Sequence, residues 1–282
     1  MIALARAATA VAIDGAAIGR RAADCLRQEI ATYPKPGLVS PVDTGAHDDM
    51  DAAMMDRSAD ALAPFFARLA EAGAAGAGMD VLRAIGIEAE HAMMAATGGV
   101  NTHRGAIFGL GLLCAAAGFR AAYGAPGAPG TLGSIVAQRW GAEIVRGPIP
   151  LHSHGTMVAR HHAAGGARAE AAAGFPALYA IALPALAAAR DLTADREAHH
   201  VHALMTLIAE VEDTNLLYRG GAHGLAFAQS EARAFLDAGS VGAGDWHARA
   251  VAMHRAFTHR RLSPGGCADL LAMALFVESA TP

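Results

Sequence analysis

The chain has 282 residues, and of its 22 basic side chains only Lys35 is a lysine. Aromatic residues make up 5% of it, and valine, isoleucine and threonine are sparse beside alanine. Alanine is the best helix former and β-branched residues suit strands, so this balance excludes a sheet-rich fold. It predicts an all-α protein, a compact multi-helix bundle of about a dozen helices read as one domain over residues 1–282. Three cysteines, Cys25, Cys114 and Cys267, are an odd number, widely spaced in apolar contexts. They fit neither a disulfide frame nor a zinc site, and are expected to be small buried hydrophobes in a reducing compartment.

Runs of like charge are also missing, and the formal net charge is −4. Without a basic stripe or a basic amphipathic face, neither a nucleic acid nor a membrane surface is an expected partner. The longest apolar stretch, Phe175 to Ala189, is short for a bilayer and contains Pro176 and Pro184. It reads as a core helix with Pro176 in its first turn. The opening "MIALARAATAVAI" resembles a signal peptide only weakly, since Arg6 splits its brief apolar run, and the expected location is the cytoplasm. A Walker loop, Gly-x-Gly-x-x-Gly after a strand, Gly-x-Ser-x-Gly and His-Glu-x-x-His are all absent. The histidines of "LHSHG", His161-His162 and "REAHHVH" match no ligand spacing and read as surface or helix-face residues.

Periodicity and breakers predict helices near 15–32, 52–72, 79–96, 102–118, 131–140, 154–163, 176–190, 195–212, 220–238, 246–258 and 265–279. "GAPGAPG" at 124–130 and "GSVGAGD" at 239–245 read as plain turns. Four other connections concentrate polar chemistry: "YPKPGLVSPVDTGAHDDMD", "ATGGVNTHRG", "EDTNLLYRGG" and "RLSPGGCADLL". Helix ends gathered on one side of a bundle can form a pocket, and these four are expected to do so.

In "ATGGVNTHRG", Gly98 or Gly99 can close one helix in the left-handed conformation and Asn101 can cap the next. Free N–H groups, the helix dipole and Arg104 then make an anion site suited to phosphate, leaving Thr102 and His103 to contribute further hydrogen bonds. "GAHDDMD" sets His47 beside Asp48, Asp49 and Asp51 at a helix start near Met50. Such a cluster can hold Mg²⁺ against substrate phosphates or supply a general acid or base. "EDTNLLYRGG" puts Glu212 and Asp213 at the expected end of a helix, where the dipole disfavours negative charge and calls for a partner. A pair with Arg219 is one answer, and a ligand beside Asn215 and Gly220-Gly221 is the other. For Lys35 two accounts stand: drift in an arginine-rich proteome, or a position that needs a compact ammonium.

Taken in order, "PKPGLVSPVDTGAHDDMD", "ATGGVNTHRGAIFGLGLL", "GFPALYAIALPAL", "DTNLLYRGG" and "SPGGCADLLA" resemble the signature blocks of the triphosphoribosyl-dephospho-coenzyme A synthase family. The resemblance runs from about Tyr33 to Phe276 and is closest to the branch serving malonate decarboxylase, with citrate lyase as the other. It implies an all-helical enzyme that joins ATP and 3′-dephospho-coenzyme A, releases adenine and leaves a triphosphoribosyl group on the ribose 2′-hydroxyl. The product would pass to a transferase acting on an acyl-carrier protein. Carried onto this chain, the resemblance marks Lys35, His47, Asp49, Asp51, Glu90, Asn101, His103, Arg104, Asp213, Asn215 and Arg219, with Thr102 and Gly220 beside them. It implies Asp213 or Asp49 as base or electrostatic group, His47 in the chemistry, and Glu90 as acid or metal ligand. Mg²⁺ would sit on Asp49, Asp51 and Glu90, and with Lys35, Arg104 and Arg219 would hold the triphosphate. Cys267 stands where the pattern has serine, and Arg104 where it often has lysine. The rival readings are a helical metal-dependent phosphohydrolase and a non-catalytic coenzyme-binding adaptor. A homodimer is compatible with the sequence, which does not decide it.

Overall fold

A computed structural model describes residues 13–124, 131–148 and 166–280. The turn at 125–130, the helix expected at 154–163 with His152, His154, His161 and His162, and the N-terminal apolar segment lie outside the described residues. Among the described residues there is no strand, and eleven α-helices account for the fold. They are α1 (Gly15–Ala31), α2 (Ala52–Ala74), α3 (Met79–Ala96), α4 (Arg104–Tyr123), α5 (Leu132–Arg146) and α6 (Gly166–Ala172). There follow α7 (Leu183–Leu192), α8 (Arg196–Glu210), α9 (Thr214–Asp237), α10 (Trp246–His259) and α11 (Gly265–Ser279).

Most boundaries match the expected ones within a few residues, because caps and breakers are local signals. Asp14 and Asp51 accept from Ala17 N and Met54 N at 2.7 Å each and start α1 and α2. The helix expected from Met50 therefore begins one cap later, at Ala52. The short α6 was not expected, and a helical segment from Thr214 precedes the start expected at 220, where Gly221 breaks the helical φ/ψ and divides α9. Before α7, residues Leu178–Ala182 form a π-helical turn. Pro184 has no N–H to donate and its ring would crowd an ordinary turn, so the wider π register absorbs it.

Two helices, α4 and α11, are apolar on nearly every side, the pattern of helices enclosed by others. Residues from Ala106 to Gly118 and from Cys267 to Val277 supply much of the core, and the two helices pack on each other. Helix α4 is long and apolar enough to cross a membrane, yet 67% of its most apolar window is buried inside the protein. It reads as a core helix. Around this pair α2 lies against α1, α3 and α4, while α8 lies against α7, α9 and α11. Cys25, Cys114 and Cys267 are free and buried, as expected, with burial pushing the Cys25 thiol up to about 12 and the other two well above their ordinary value.

Helices α2 and α4 approach closely enough that two glycines are sterically required. A Cβ on Gly73 would stand 1.9 Å from the Ala115 carbonyl oxygen, and one on Gly118 would stand 1.9 Å from that of Ala70. These are backbone atoms and cannot swing aside. Gly118→Ala should push α4 off α2 and lower stability by ~1–3 kcal/mol, the usual scale of overpacking. Urea denaturation measures this, and an unchanged midpoint would contradict the close approach.

Candidate functional site

The four polar connections converge at one end of the bundle, where several helices begin. The contact that joins two of them is the Asp213 carboxylate. It is the N-cap of α9, with Oδ1 accepting from Asn215 N at 2.7 Å and Leu216 N at 3.2 Å. Its Oδ2 accepts from Cys267 N at 2.8 Å in the first turn of α11. The expected position at the end of a helix is therefore corrected: α8 stops at Glu210, and Asp213 opens the next helix, where the dipole favours a carboxylate. Nor does Asp213 pair with Arg219. It is 2% exposed, and burial raises its pKa against the lowering effect of its backbone donors.

The α4 end joins the same region through Gly105, whose Cβ would fall 2.0 Å from Asp269 Oδ2 on α11. Ahead of it Gly98 and Gly99 both take positive φ, 65° and 96°, as expected for the close of α3. The formal N-cap of α4 is His103, not Asn101, but Asn101 Oδ1 still accepts from Arg104 N at 3.2 Å. Arg104 turns its Nε to Glu90 Oε2 at 3.0 Å. His103 is 3% exposed; its Nδ1 lies 2.8 Å from Ser58 Oγ, which Thr102 Oγ1 also reaches at 2.8 Å. Burial first, and the nearby Lys35 charge second, hold the His103 pKa down at about 4.

Lys35 is buried, 1% exposed. Its Nζ donates to Glu29 Oε1 at 2.6 Å and to the Glu29 carbonyl at 2.7 Å. That gives the lone lysine a physical reason: one residue offers both acceptors in a space that suits a compact ammonium better than a fork. It also corrects the expectation of a triphosphate contact, since the ammonium points into the protein. The loop carrying it is latched by His254, whose Nδ1 is 2.6 Å from the Lys35 carbonyl and whose Nε2 is 2.9 Å from Asp43 Oδ1.

Arg219 does what the resemblance did not specify. Its Nη1 donates to the Ala46 and Arg261 carbonyls at 3.1 and 3.2 Å, and its Nη2 donates to His47 Nδ1 at 3.1 Å. His47 then turns Nε2 to Ser263 Oγ at 2.9 Å, so Ser263 holds His47 and does not cap α11. Burial, then Arg219, hold His47 neutral with a pKa of about 4. The room beside Gly220 is filled by Leu262, whose Cδ2 would lie 2.6 Å from a Cβ there, so this glycine serves packing and not ligand approach. Gly221 takes φ 60° and kinks α9. Asn215 lies against Gly265, with Nδ2 3.0 Å from where its Cβ would be.

The proposed metal set does not assemble. Asp51 caps α2, Glu90 pairs with Arg104, and Asp49 sits 3.8 Å from His47 Nδ1. Among the described residues no group of three or more His, Cys, Asp or Glu is placed to hold a metal ion. His199, His200 and His202 bond to Thr193 O, Thr32 Oγ1 and Ser240 Oγ, which agrees with their reading as structural. A cleft of about 310 Å³ lined by Arg190, Arg196, His199, His200 and Glu278 shares no residue with the cluster.

Sequence reasoning passed over Glu29, Ser58, Asp43, His254 and Asp269. Only Asp269 had a signal, as the single acid in the apolar run from Gly265 to Val277. Asp213→Asn replaces one acceptor oxygen with an amide that faces a buried N–H. A loss of ~1–3 kcal/mol is expected, and an unshifted denaturation midpoint would deny its bridging role. Glu29→Ala strands the Lys35 ammonium and should cost ~3–5 kcal/mol by the same measurement.

The family model for ATP:dephospho-CoA triphosphoribosyl transferase (CitG) matches residues 15–281. A Pectobacterium atrosepticum protein named 2-(5''-triphosphoribosyl)-3'-dephosphocoenzyme-A synthase is 40% identical over 267 residues, covering 91% of this chain and 86% of that protein. An Albidiferax ferrireducens protein with the same name, prefixed "Probable", is 38% identical over 289 residues, 96% of each chain. No solved structure matches. With the helical fold, the convergent helix starts and the ordered sequence blocks, these likenesses establish that the chain belongs to the ATP:dephospho-CoA triphosphoribosyl transferase family.

Proposed function

We propose that this chain transfers the 5-triphosphoribosyl group of ATP to the ribose 2′-hydroxyl of 3′-dephospho-coenzyme A and releases adenine. The observation that supports this reading best is the convergence of the starts of α4, α9 and α11 on one region. Helix starts carry partial positive charge, and the first-turn N–H groups that the Asp213 and Asn101 caps leave over are a setting for phosphate oxygens. Arg104 on α4, paired with Glu90, and Arg219 on α9, bonded to the Ala46 and Arg261 carbonyls and to His47, are arginines of that end and would have to share these partners with a phosphate. ATP would enter as its magnesium complex; among the described residues the carboxylates are not grouped as a resident metal site.

The triphosphate is a handle in this reaction, and the bond that breaks is C1′–N9. Positive charge develops on the ribose, where a nearby carboxylate stabilises it as in glycoside hydrolysis. The departing adenine needs a proton, and the attacking 2′-hydroxyl must lose one. His47 is held neutral between Arg219 and Ser263, which suits it to fix the guanidinium's position more than to move a proton. Residues 1–282 are read as one such domain acting in the cytoplasm. The product would be the prosthetic-group precursor for an acyl-carrier subunit, that of malonate decarboxylase on the strength of the sequence blocks.

Incubation of the purified protein with ATP, Mg²⁺ and 3′-dephospho-coenzyme A, followed by liquid chromatography with mass detection, tests this. Adenine should appear in step with a triphosphoribosylated coenzyme. ADP or phosphate without adenine would mean a phosphohydrolase, and binding without turnover an adaptor.

A further inference from the structure

Asp269 is the fifth residue of α11 and the first acid on that helix, in a run that is otherwise apolar up to Glu278. Among the described residues no hydrogen-bond donor or cation is paired with its carboxylate. It is partly accessible, as are Gly105, Gly265 and Gly266 around it, although protein surrounds it on every other side. Oδ2 lies over the first turn of α4, where only a glycine leaves it space: the Gly105 Cβ would be 2.0 Å away. A carboxyl group lodged between two helix starts, open on one side and without a partner, is placed to meet a ligand.

The groups that face it favour the neutral acid. Burial has the largest effect, followed by the Glu29 charge from α1 and the Asp213 charge from the α9 cap, and together they raise its pKa well above the ordinary carboxylate range. The cations nearby are committed elsewhere. Lys35 is bonded to Glu29, and Arg104 on α4 to Glu90. Cys267, on the same helix, stays a thiol because its own pKa is driven upward. A carboxyl group whose pKa is raised holds its proton more readily than an ordinary one, which suits it to general-acid catalysis.

A second observation is independent of Asp269. Thr102 Oγ1 donates to Ser58 Oγ, which also lies 2.8 Å from His103 Nδ1, so one ring nitrogen is engaged. The other, Nε2, is buried and has no partner. A buried ring nitrogen without a partner is rare in a folded protein and marks a place where a polar atom of a ligand can belong. It lies on residue 103, two positions before the glycine that faces Asp269.

We infer that Asp269 is the acid that protonates adenine as the C1′–N9 bond breaks, a role that rests on the transferase reading above. The bonding pair of C1′–N9 leaves with the purine, the Asp269 proton goes to a purine ring nitrogen, and C1′ is taken by the 2′-oxygen of 3′-dephospho-coenzyme A. The hydroxyl releases one proton and adenine takes one, so Asp269 ends the cycle neutral and no co-reactant is consumed.

The test compares Asp269→Asn, which keeps the shape and neutrality of the acid, with the unaltered protein on two substrates. One is ATP. The other is ATP methylated at adenine N7, whose cationic base departs without a proton. On ATP the variant should lose ~10²–10⁴-fold in kcat with KM for ATP little changed. On the methylated substrate it should match the unaltered protein. Equal losses on both substrates, or none on ATP, would overturn the assignment. The pH profile needs no folded variant: on ATP, turnover of the unaltered protein should fall with rising pH as Asp269 ionises, and on the methylated substrate it should not. The same fall on both would also overturn it. Should the methylated substrate not be accepted, loss of that alkaline limb in Asp269→Asn supports the assignment and its persistence refutes it. Failure of the unaltered protein to release adenine would sink the transferase reading itself, a result distinct from all of these.

Discussion

The end of the bundle where the four polar connections meet depends on one carboxylate that serves two helices. Asp213 satisfies three backbone donors, two in its own helix and one in the first turn of α11. Helix starts repel one another through their partial positive charges and leave N–H groups that must find acceptors. An acid placed between two of them answers both problems at once, and it lets α9 and α11 begin side by side. With α4 pressed against Asp269, an anion meeting this region encounters several helix starts.

A second layer of buried polar contacts holds the loops around that junction. Glu29 and Lys35 form an ion pair inside the protein, and His254 ties the same loop to Asp43. Buried pairs of this kind contribute little net stability but are costly to break, so they act mainly as positioning devices. The result is a region in which Lys35, His103, Asp213 and Asp269 share a low-dielectric setting while Arg219 and His47 stand at its rim. Burial shifts Asp213 and Asp269 upward and His103 downward, while Glu29 and Lys35 neutralise each other as a pair.

The helices were legible because caps and breakers are local. The Asp51 cap of α2, Gly78 before α3 and Pro264 before α11 each stand next to the helix start that they mark. The gathering of the four polar connections was legible as well, since polar residues crowded between apolar helices have little other use. Individual roles were less so. Asp213 reads as the tail of one helix or the head of another until the end of α8 is known, and the answer reverses its electrostatics. Lys35 was marked by the resemblance as a triphosphate contact, whereas its partner Glu29, on α1, was not visible as one from sequence spacing.

By itself the sequence determined an alanine-rich helical fold, its family and the set of segments that meet, because propensity, capping and motif order reside in the chain. The tertiary structure decided which of those residues face inward, which pair, and which remain without a partner. Helix packing sets Gly105 against Asp269 and leaves the His103 Nε2 unbonded, contacts between residues far apart in the chain or on different helices. Acidity is decided there too: the same aspartate is an ordinary carboxylate in an extended chain, and its pKa is raised where burial and two neighbouring charges make ionisation costly.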